Sequence, residues 1–253
     1  MKNQRQQNKN NPGISVFFPC YNDEHTIGQL VKDAISAVAT ITHDWEVIVV
    51  DDGSTDTSNE VVRRITRRNT RVHLVTHEKN LGYGAALQSG FHKASKELVF
   101  YTDGDGQYDP RELLLLLPLM TRDTDFVNGI KLVRKDPTYR VIVGNFYNFF
   151  VRWLFWLPVQ DVDCDFRLIR KKILRGISLT ARSGAICVEL VKKSQLAGAR
   201  FREVSVHHYD REYGVSQFFQ PRRIITTFMD LVCLWIQLIF RQRMAEHNSY
   251  AKE

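Results

Sequence analysis

The chain has no C-x-x-C pair: its four cysteines, Cys20, Cys164, Cys187 and Cys233, stand far apart. That excludes a disulfide framework and a cysteine zinc site, and it fits a reducing cytoplasm. No apolar run is long enough to span a bilayer either. VGNFYNFFVRWLFWLPV, from Val143, carries Arg152 at its middle and Pro158 near its end, and IITTFMDLVCLWIQLIF, from Ile224, contains Asp230. A span needs about 20 apolar residues, and a charge at its centre costs about 2.5–3.5 kcal/mol. Both stretches read instead as amphipathic helices lying in a membrane interface, with Arg222, Arg223, Arg241 and Arg243 near headgroups, or as core helices. The first dozen residues, MKNQRQQNKNNP, lack the apolar core of a signal peptide and read as a disordered polar tail.

Acidic residues are the scarcer charge: 35 Lys and Arg against 28 Asp and Glu leave a net +7. That balance favours partners carrying phosphate: nucleotides, nucleic acid or anionic headgroups. What is present is ordinary globular composition, 43% hydrophobic and 25% charged over 253 residues. It suits one compact domain with a buried core and a short appendage.

The first half alternates strand and helix. Ile14 to Phe18 is a buried-strand run ending at Pro19. From Glu24 to Thr40, Ile27, Leu30, Val31, Ala34, Ile35 and Val38 fall on one helical face. WEVIVV then stops at Asp51-Asp52-Gly53, and Ser54 and Asp56 are N-cap candidates for a helix running to about Arg68. RVHLVTH, GYGAALQSGFHKA and ELVFYT continue as strand, helix and strand. Nearly all-apolar strands are expected where helices cover both faces, so the rhythm predicts an α/β fold with an open, mostly parallel, Rossmann-like sheet. After Pro110 come a Leu-rich helix (Arg111 to Met120), the strand DFVNGIKL and an aromatic helix from about Tyr139. A loop QDVDCDFRLIRKK, a helix near Ala185 to Ala197, the strand ARFREVSVHH and a final apolar helix complete the chain.

Ligands of such sheets bind beyond the carboxyl ends of the strands. Three polar clusters stand there: Pro19-Cys20-Tyr21-Asn22-Asp23-Glu24, Asp51-Asp52-Gly53-Ser54 and Asp103-Gly104-Asp105-Gly106-Gln107. In the third, two carboxylates flank one glycine, which lets both approach a hard cation such as Mn²⁺ or Mg²⁺. An Asp/Gly-rich turn is the plainer reading of that cluster alone. Asp51 and Asp52 suit ribose or base hydrogen bonds, or simply the cap of the next helix.

The order VFFPCYNDE, VVDDGSTD, NLGYGAALQSGF and YTDGDGQYDP resembles the family 2 glycosyltransferases with the GT-A fold. Within that family the chain is most similar to the polyprenol-phosphate (dolichol-phosphate) hexose synthases, from about Ile14 to Phe240. The resemblance implies a nucleotide-sugar site formed by Pro19, Tyr21, Asn22, Glu24, Asp51, Asp52, Asn80, Gly82, Asp103 and Gln107. It makes Asp103 and Asp105 the metal-holding pair, with a divalent cation bridging the donor phosphates. Lys131, Arg140 and Arg211 match the basic residues that meet a lipid phosphate in relatives. Lys131 stands where relatives often carry Arg. Asp163 and Asp165 fall where a carboxylate serves as general base toward hydroxyl acceptors; a phosphate acceptor, with a second pKa of about 6, scarcely needs one. Their role is left open between base, positioning group and donor contact.

The expectation is then an inverting transfer of a hexose, mannose from GDP-mannose or glucose from UDP-glucose, to polyprenyl or dolichyl phosphate. Asp105, Asp163, Asp165 and Arg211 are the catalytic candidates. Residues 1–12 are the tail, 13–220 the GT-A domain (13–110 for the nucleotide sugar, 111–220 for the acceptor) and 221–253 an amphipathic helix and tail. The enzyme is expected in the cytoplasm, peripheral at the membrane face, with neither signal peptide nor transmembrane span. One rival is a soluble glycosyltransferase acting on a saccharide or other hydroxyl. Another is an idle nucleotide-sugar-fold binding module, against which the intact Asp103/Asp105 pair counts. Nucleic acid is excluded as a partner, since no recognised motif accompanies the charge.

Overall fold

The computed structural model describes residues 11–132, 138–214 and 221–240. Seven strands form one sheet in the order β3-β2-β1-β4-β6-β5-β7. They are β1 (Ile14–Cys20), β2 (Trp45–Asp51), β3 (Val72–Thr76), β4 (Leu98–Thr102), β5 (Phe126–Lys131), β6 (Phe166–Arg170) and β7 (Phe201–Val206). β1 pairs parallel with β2 and β4, β2 with β3, and β5 with β7. β6 is antiparallel to both β4 and β5. It alone runs against the other six, so the segment entering β6 arrives at the edge where the other strands end.

The helices are α1 (Ile27–Ile41), α2 (Ser58–Thr66), α3 (Tyr83–Lys93), α4 (Leu113–Leu116), α5 (Thr138–Phe155), α6 (Lys171–Arg175), α7 (Ala185–Leu196) and α8 (Pro221–Trp235). Alternate residues of each strand feed cores on opposite faces, as the two-residue period of a strand requires. Val16, Phe18, Val47, Val49 and Phe100 pack on one side with Ile27, Val31 and Val38 of α1. Phe17, Ile48, Val50 and Tyr101 pack on the other with Leu87 of α3, Val151 of α5, Val188 of α7 and Leu234 of α8. Burial on both faces is why the strands are almost uniformly apolar.

Three local expectations are revised. The Leu-rich segment is no continuous helix: 3-10 turns at Pro110–Glu112 and Leu117–Leu119 flank the short α4, consistent with Pro118 lacking an N–H to continue the ladder. The sequence FRLIR, expected in a loop, is β6. Ser54 does not cap α2; its hydroxyl accepts from Asn22 N (3.0 Å), while Asp56 takes the Ser58 N–H (2.9 Å). The four cysteines are unbridged, with Cys20, Cys164 and Cys187 buried and Cys233 exposed.

No helix among the described residues is long and apolar enough to cross a membrane. α5 and α8 are nevertheless amphipathic in the outward sense. α5 exposes Phe146, Phe149, Phe150 and Trp153, and α8 exposes Ile225, Phe228, Met229 and Val232, each set at i, i+3, i+4, i+7 spacing on one face. Opposite those faces Val151 and Phe155, and Leu231 and Leu234, are buried.

Candidate active site

Four strands deliver carboxylates to one edge. Asp23 follows β1, Asp51 ends β2 with Asp52 after it, Asp103 and Asp105 follow β4, and the 161–165 segment leads into β6. The expected convergence of strand ends is therefore found, and the reversal of β6 adds a fourth contributor.

The turn after β4 is held tightly. A Cβ on Gly104 would stand 2.6 Å from the Pro19 carbonyl oxygen and 3.2 Å from Asp23 Oδ2, so only glycine lets the turn nest against the end of β1. Thr26 Oγ1 donates to the Gly104 carbonyl (2.7 Å). Asp103 Oδ1 accepts from the Tyr83 hydroxyl at 2.7 Å. Asp105 Oδ1 accepts from Gln107 N (3.0 Å), and its Oδ2 pairs with Arg211 Nη2. The segment carrying Arg211 docks on this turn. Tyr209 N donates to the Gln107 carbonyl (2.8 Å), and Gln107 Nε2 donates back to the Tyr209 carbonyl (3.1 Å). Arg211 Nε is buried with no partner among the described residues, a donor left over for an anion.

Negative charge is crowded here. Burial pushes the Asp103 carboxyl well up from its ordinary value, with the Asp165 and Asp105 charges adding to it. Burial likewise raises Asp23 to about 7, the Tyr21 N–H working against it and the Asp105 charge adding to it. Two carboxylates flanking a bare glycine, amid further acids, suit a hard divalent cation. Among the described residues no group of three or more His, Cys, Asp or Glu could hold a metal ion by itself. Mg²⁺-type ions commonly use one or two carboxylates and take their remaining ligands from phosphate and water. The donor set fits that mode.

The residues expected on the nucleotide side are knitted together. Asn22, at φ 58°, accepts from Thr55 N through its Oδ1 (2.8 Å), and Glu24 Oε2 accepts from Thr57 N (2.8 Å). The Thr57 hydroxyl, which also donates to Glu24 Oε2, and the Thr57 N–H hold the Glu24 carboxyl below its ordinary value. Pro19 is buried in β1, while Tyr21 is half-buried beside it. Asp51 is committed to Ser54 N (3.0 Å) and Asn59 Nδ2 (2.6 Å). Asp52 accepts from Leu81 N and Gly82 N, both at 2.9 Å, and faces His77 Nδ1 at 2.6 Å. Of about four acceptor positions on the carboxylate, three are filled from within the protein, so a nucleotide would have roughly one to use. Gly82 takes φ 100°, and Asn80 is exposed in the same turn.

Among the residues expected on the acceptor side, Lys131 Nζ donates to the Asp163 carbonyl (2.6 Å), with the Asp163 carboxylate 3.5 Å away. Asp165 is buried, and it accepts from the Tyr101 hydroxyl (3.0 Å) and the Cys187 thiol (3.2 Å), with Arg167 Nη1 at 3.3 Å. The Arg140 side chain lies outside the described residues. Tyr83, Tyr101, Arg167, Cys187 and Asp23 are site residues that the sequence motifs do not single out. Asp23, Tyr83 and Tyr101 lie inside the quoted sequence motifs, yet no role is read for them there.

The family model for glycosyl transferase family 2 matches residues 15–178. The chain belongs to that family. As a family 2 glycosyltransferase it is similar to dodecaprenyl-phosphate galacturonate synthase of Rhizobium johnstonii, 28% identical over 233 residues that cover 91% of this chain and 68% of the relative. It is also similar to undecaprenyl-phosphate 4-deoxy-4-formamido-L-arabinose transferase of Salmonella choleraesuis, 26% identical, covering 87% of this chain and 67% of the relative. Glucosyl-3-phosphoglycerate synthase of Mycobacterium tuberculosis, crystallised with Mn²⁺, UDP and glucosyl-3-phosphoglycerate, shares the fold at a TM-score of 0.66 and 19% identity, over 87% of this chain and 80% of that one. The GT-A-like α/β architecture of this family 2 glycosyltransferase is thus the one expected from its motifs.

Proposed function

We propose that the chain transfers a sugar from a nucleoside-diphosphate sugar to a polyprenyl phosphate at a membrane surface. The observation that carries this reading is Arg211. It comes from the expected acceptor half, meets Asp105 of the expected donor pair, and keeps a buried Nε donor without a partner among the described residues. A guanidinium so placed can take an acceptor phosphate while one prong stays anchored. The names of both relatives, which are polyprenyl-phosphate sugar transferases, support the same acceptor class.

In this mechanism the acceptor phosphate oxygen forms a bond to the anomeric carbon as the bond from that carbon to the diphosphate oxygen breaks. The bonding pair leaves with the nucleoside diphosphate, and the configuration inverts. The attacking oxygen is already ionised near neutral pH, so no base is required. Asp103 and Asp105 would hold a divalent cation, Mn²⁺ or Mg²⁺, which when bound offsets the charge on the departing diphosphate. Tyr83 fixes the Asp103 carboxylate, and Arg211 lies between Asp105 and the acceptor. Lys131 ties the 161–163 segment down beside it. Asp165, gripped by Tyr101, Cys187 and Arg167, serves as a positioning group rather than a mobile base. A hydroxyl acceptor would call for a base, and Asp163, with its side chain 36% exposed, is the carboxylate placed for it.

The outward apolar faces of α5 and α8 would rest in the lipid interface and bring the site to its acceptor. The donor sugar is a class rather than one compound. Mannose on GDP and glucose on UDP follow from the sequence resemblance, while the relatives' names bring in galacturonate and a formamido-arabinose.

The test offers GDP-mannose, UDP-glucose, UDP-galacturonate and UDP-4-deoxy-4-formamido-L-arabinose, each labelled in the sugar, with undecaprenyl phosphate and Mn²⁺. Label entering the organic phase with one donor, lost with chelator and in Asp105→Ala, supports the reading. Label that no donor moves to the lipid, or that moves undiminished with Asp105→Ala, contradicts it.

A further inference from the structure

Behind the donor site runs a line of hydrogen bonds that the transfer chemistry does not use. Ser89 Oγ, on α3, lies 2.9 Å from His77 Nε2, and His77 Nδ1 lies 2.6 Å from Asp52 Oδ1. A carboxylate only accepts, so His77 presents its Nδ1–H to Asp52, and its Nε2 is left to pair with the Ser89 hydroxyl, which can either donate or accept. Both side chains are largely withdrawn from water, His77 at 10% and Asp52 at 4% exposure. Asp52 passes the constraint on: its two oxygens take the N–H groups of Leu81 and Gly82 at 2.9 Å each. The next residue is Tyr83, whose hydroxyl holds Asp103. The strap 81–83 therefore joins the carboxylate at the end of β2 to the carboxylate at the end of β4.

The strap needs such a hold. Gly82, the N-cap of α3, sits at φ 100° with no side chain to cap the helix, and Leu81 is exposed at 38%. Without Asp52 its two amides would have only water. Asp52 meets the two amides with one oxygen each, and His77, braced by Ser89, is the side chain that bonds the same carboxylate. We infer that His77 and Ser89 are positioning residues for the donor site: through Asp52 they latch the strap 81–83 and so aim Tyr83 at Asp103. The inference rests on the proposed donor site, and neither residue touches substrate.

The experiment compares His77→Phe, His77→Asn and Ser89→Ala with the wild type. Phe keeps the bulk and loses both bonds; Asn keeps an N–H where Nδ1 stood. Amide hydrogen exchange of the 80–83 segment is read first, since it needs no donor. The expected result for His77→Phe is exchange about tenfold faster at Leu81 and Gly82, with β2 amides unchanged. Ser89→Ala moves the same amides by a smaller factor, and it serves alone if the Phe variant does not fold. In transfer assays the donor KM of His77→Phe rises about tenfold while kcat stays within about threefold, and His77→Asn recovers most of the loss. Unchanged exchange at 81–82 in every variant overturns the latch. So does acceleration spread evenly over the sheet, or an Asn variant no better than Phe. A wild type that transfers no sugar would instead refute the proposed function, and the exchange data would still decide the latch.

Discussion

Arg167 is fully buried, and its Nη1 donates to the Tyr101 hydroxyl at 2.6 Å, which passes its own proton toward Asp165 Oδ1 at 3.0 Å. Arg167 Nε also donates to Asn128 Oδ1 (2.9 Å) and Nη2 to the Val162 carbonyl (2.5 Å). A guanidinium with no exposed surface is tolerated only because every prong is engaged. Replacing it by Met keeps the volume and strands Asp165, Asn128 and Tyr101. The expected cost is about 3–5 kcal/mol of unfolding free energy, read from denaturant titration. A loss under about 1 kcal/mol would mean that the network does not stabilise the fold.

Tyr83 is the second handle on the site. Tyr83→Phe removes the 2.7 Å bond to Asp103 and nothing else of size. Hydrogen bonds to charged groups contribute about 1.5–3 kcal/mol, so kcat/KM should fall about 10- to 100-fold. Steady-state kinetics at saturating Mn²⁺ measure it, and an unchanged kcat/KM would show that Asp103 needs no such support.

The organisation of the first half was legible because strand–helix alternation and hydrophobic periodicity are local signals. α1 buries Ile27, Leu30, Val31, Ala34 and Val38, as its spacing required, while Ile35 of the same expected face is half-buried. What the sequence hid depends on pairing across the sheet. FRLIR carries two arginines in five residues, and nothing local says that Arg167 turns inward to meet Asn128 from β5 and Tyr101 from β4. Tyr83 lies inside the motif NLGYGAALQSGF, but its role was not legible there, since it depends on where β4 ends relative to α3. Asp103, Asp105 and Gln107 were legible as a motif. Arg211 was visible only through resemblance, 106 residues from the Asp105 it meets.

Glu189 gives the pH dependence of the fold. Burial alone would raise its carboxyl, but Lys193 and the N–H groups of Ala181 and Thr180 outweigh that and hold it below its ordinary 4.5. A depressed folded value means the unfolded chain binds the proton more readily. The stabilisation is therefore complete above about 4.5 and is lost as pH falls through the lower folded value. Glu189→Gln should destabilise the protein at pH 7, and the gap to wild type should narrow at pH values well below 4.5. A gap that is constant from neutral to acid pH would contradict the assignment. Denaturant titration at each pH reads it.

Membrane contact depends on the exposed aromatic faces. Phe146, Trp153 and Phe228 are 71%, 65% and 60% exposed, so their replacement by Ser leaves the core intact. The triple variant should keep its melting temperature within a few degrees and lose flotation with phosphatidylglycerol-containing vesicles by about tenfold or more. Flotation that is unchanged would remove these helices from the interface.

The most direct test of the central claim keeps the active donor and changes one atom group on the acceptor. Labelled donor is offered in parallel to undecaprenyl phosphate and to undecaprenol, which differ only by the phosphate, with wild type and Arg211→Ala. The expected result is labelled lipid from the phosphate alone, reduced about 100-fold in Arg211→Ala while nucleoside-diphosphate binding changes little. Label on undecaprenol at a comparable rate, or an Arg211→Ala variant that transfers normally, would contradict a site built for a lipid phosphate.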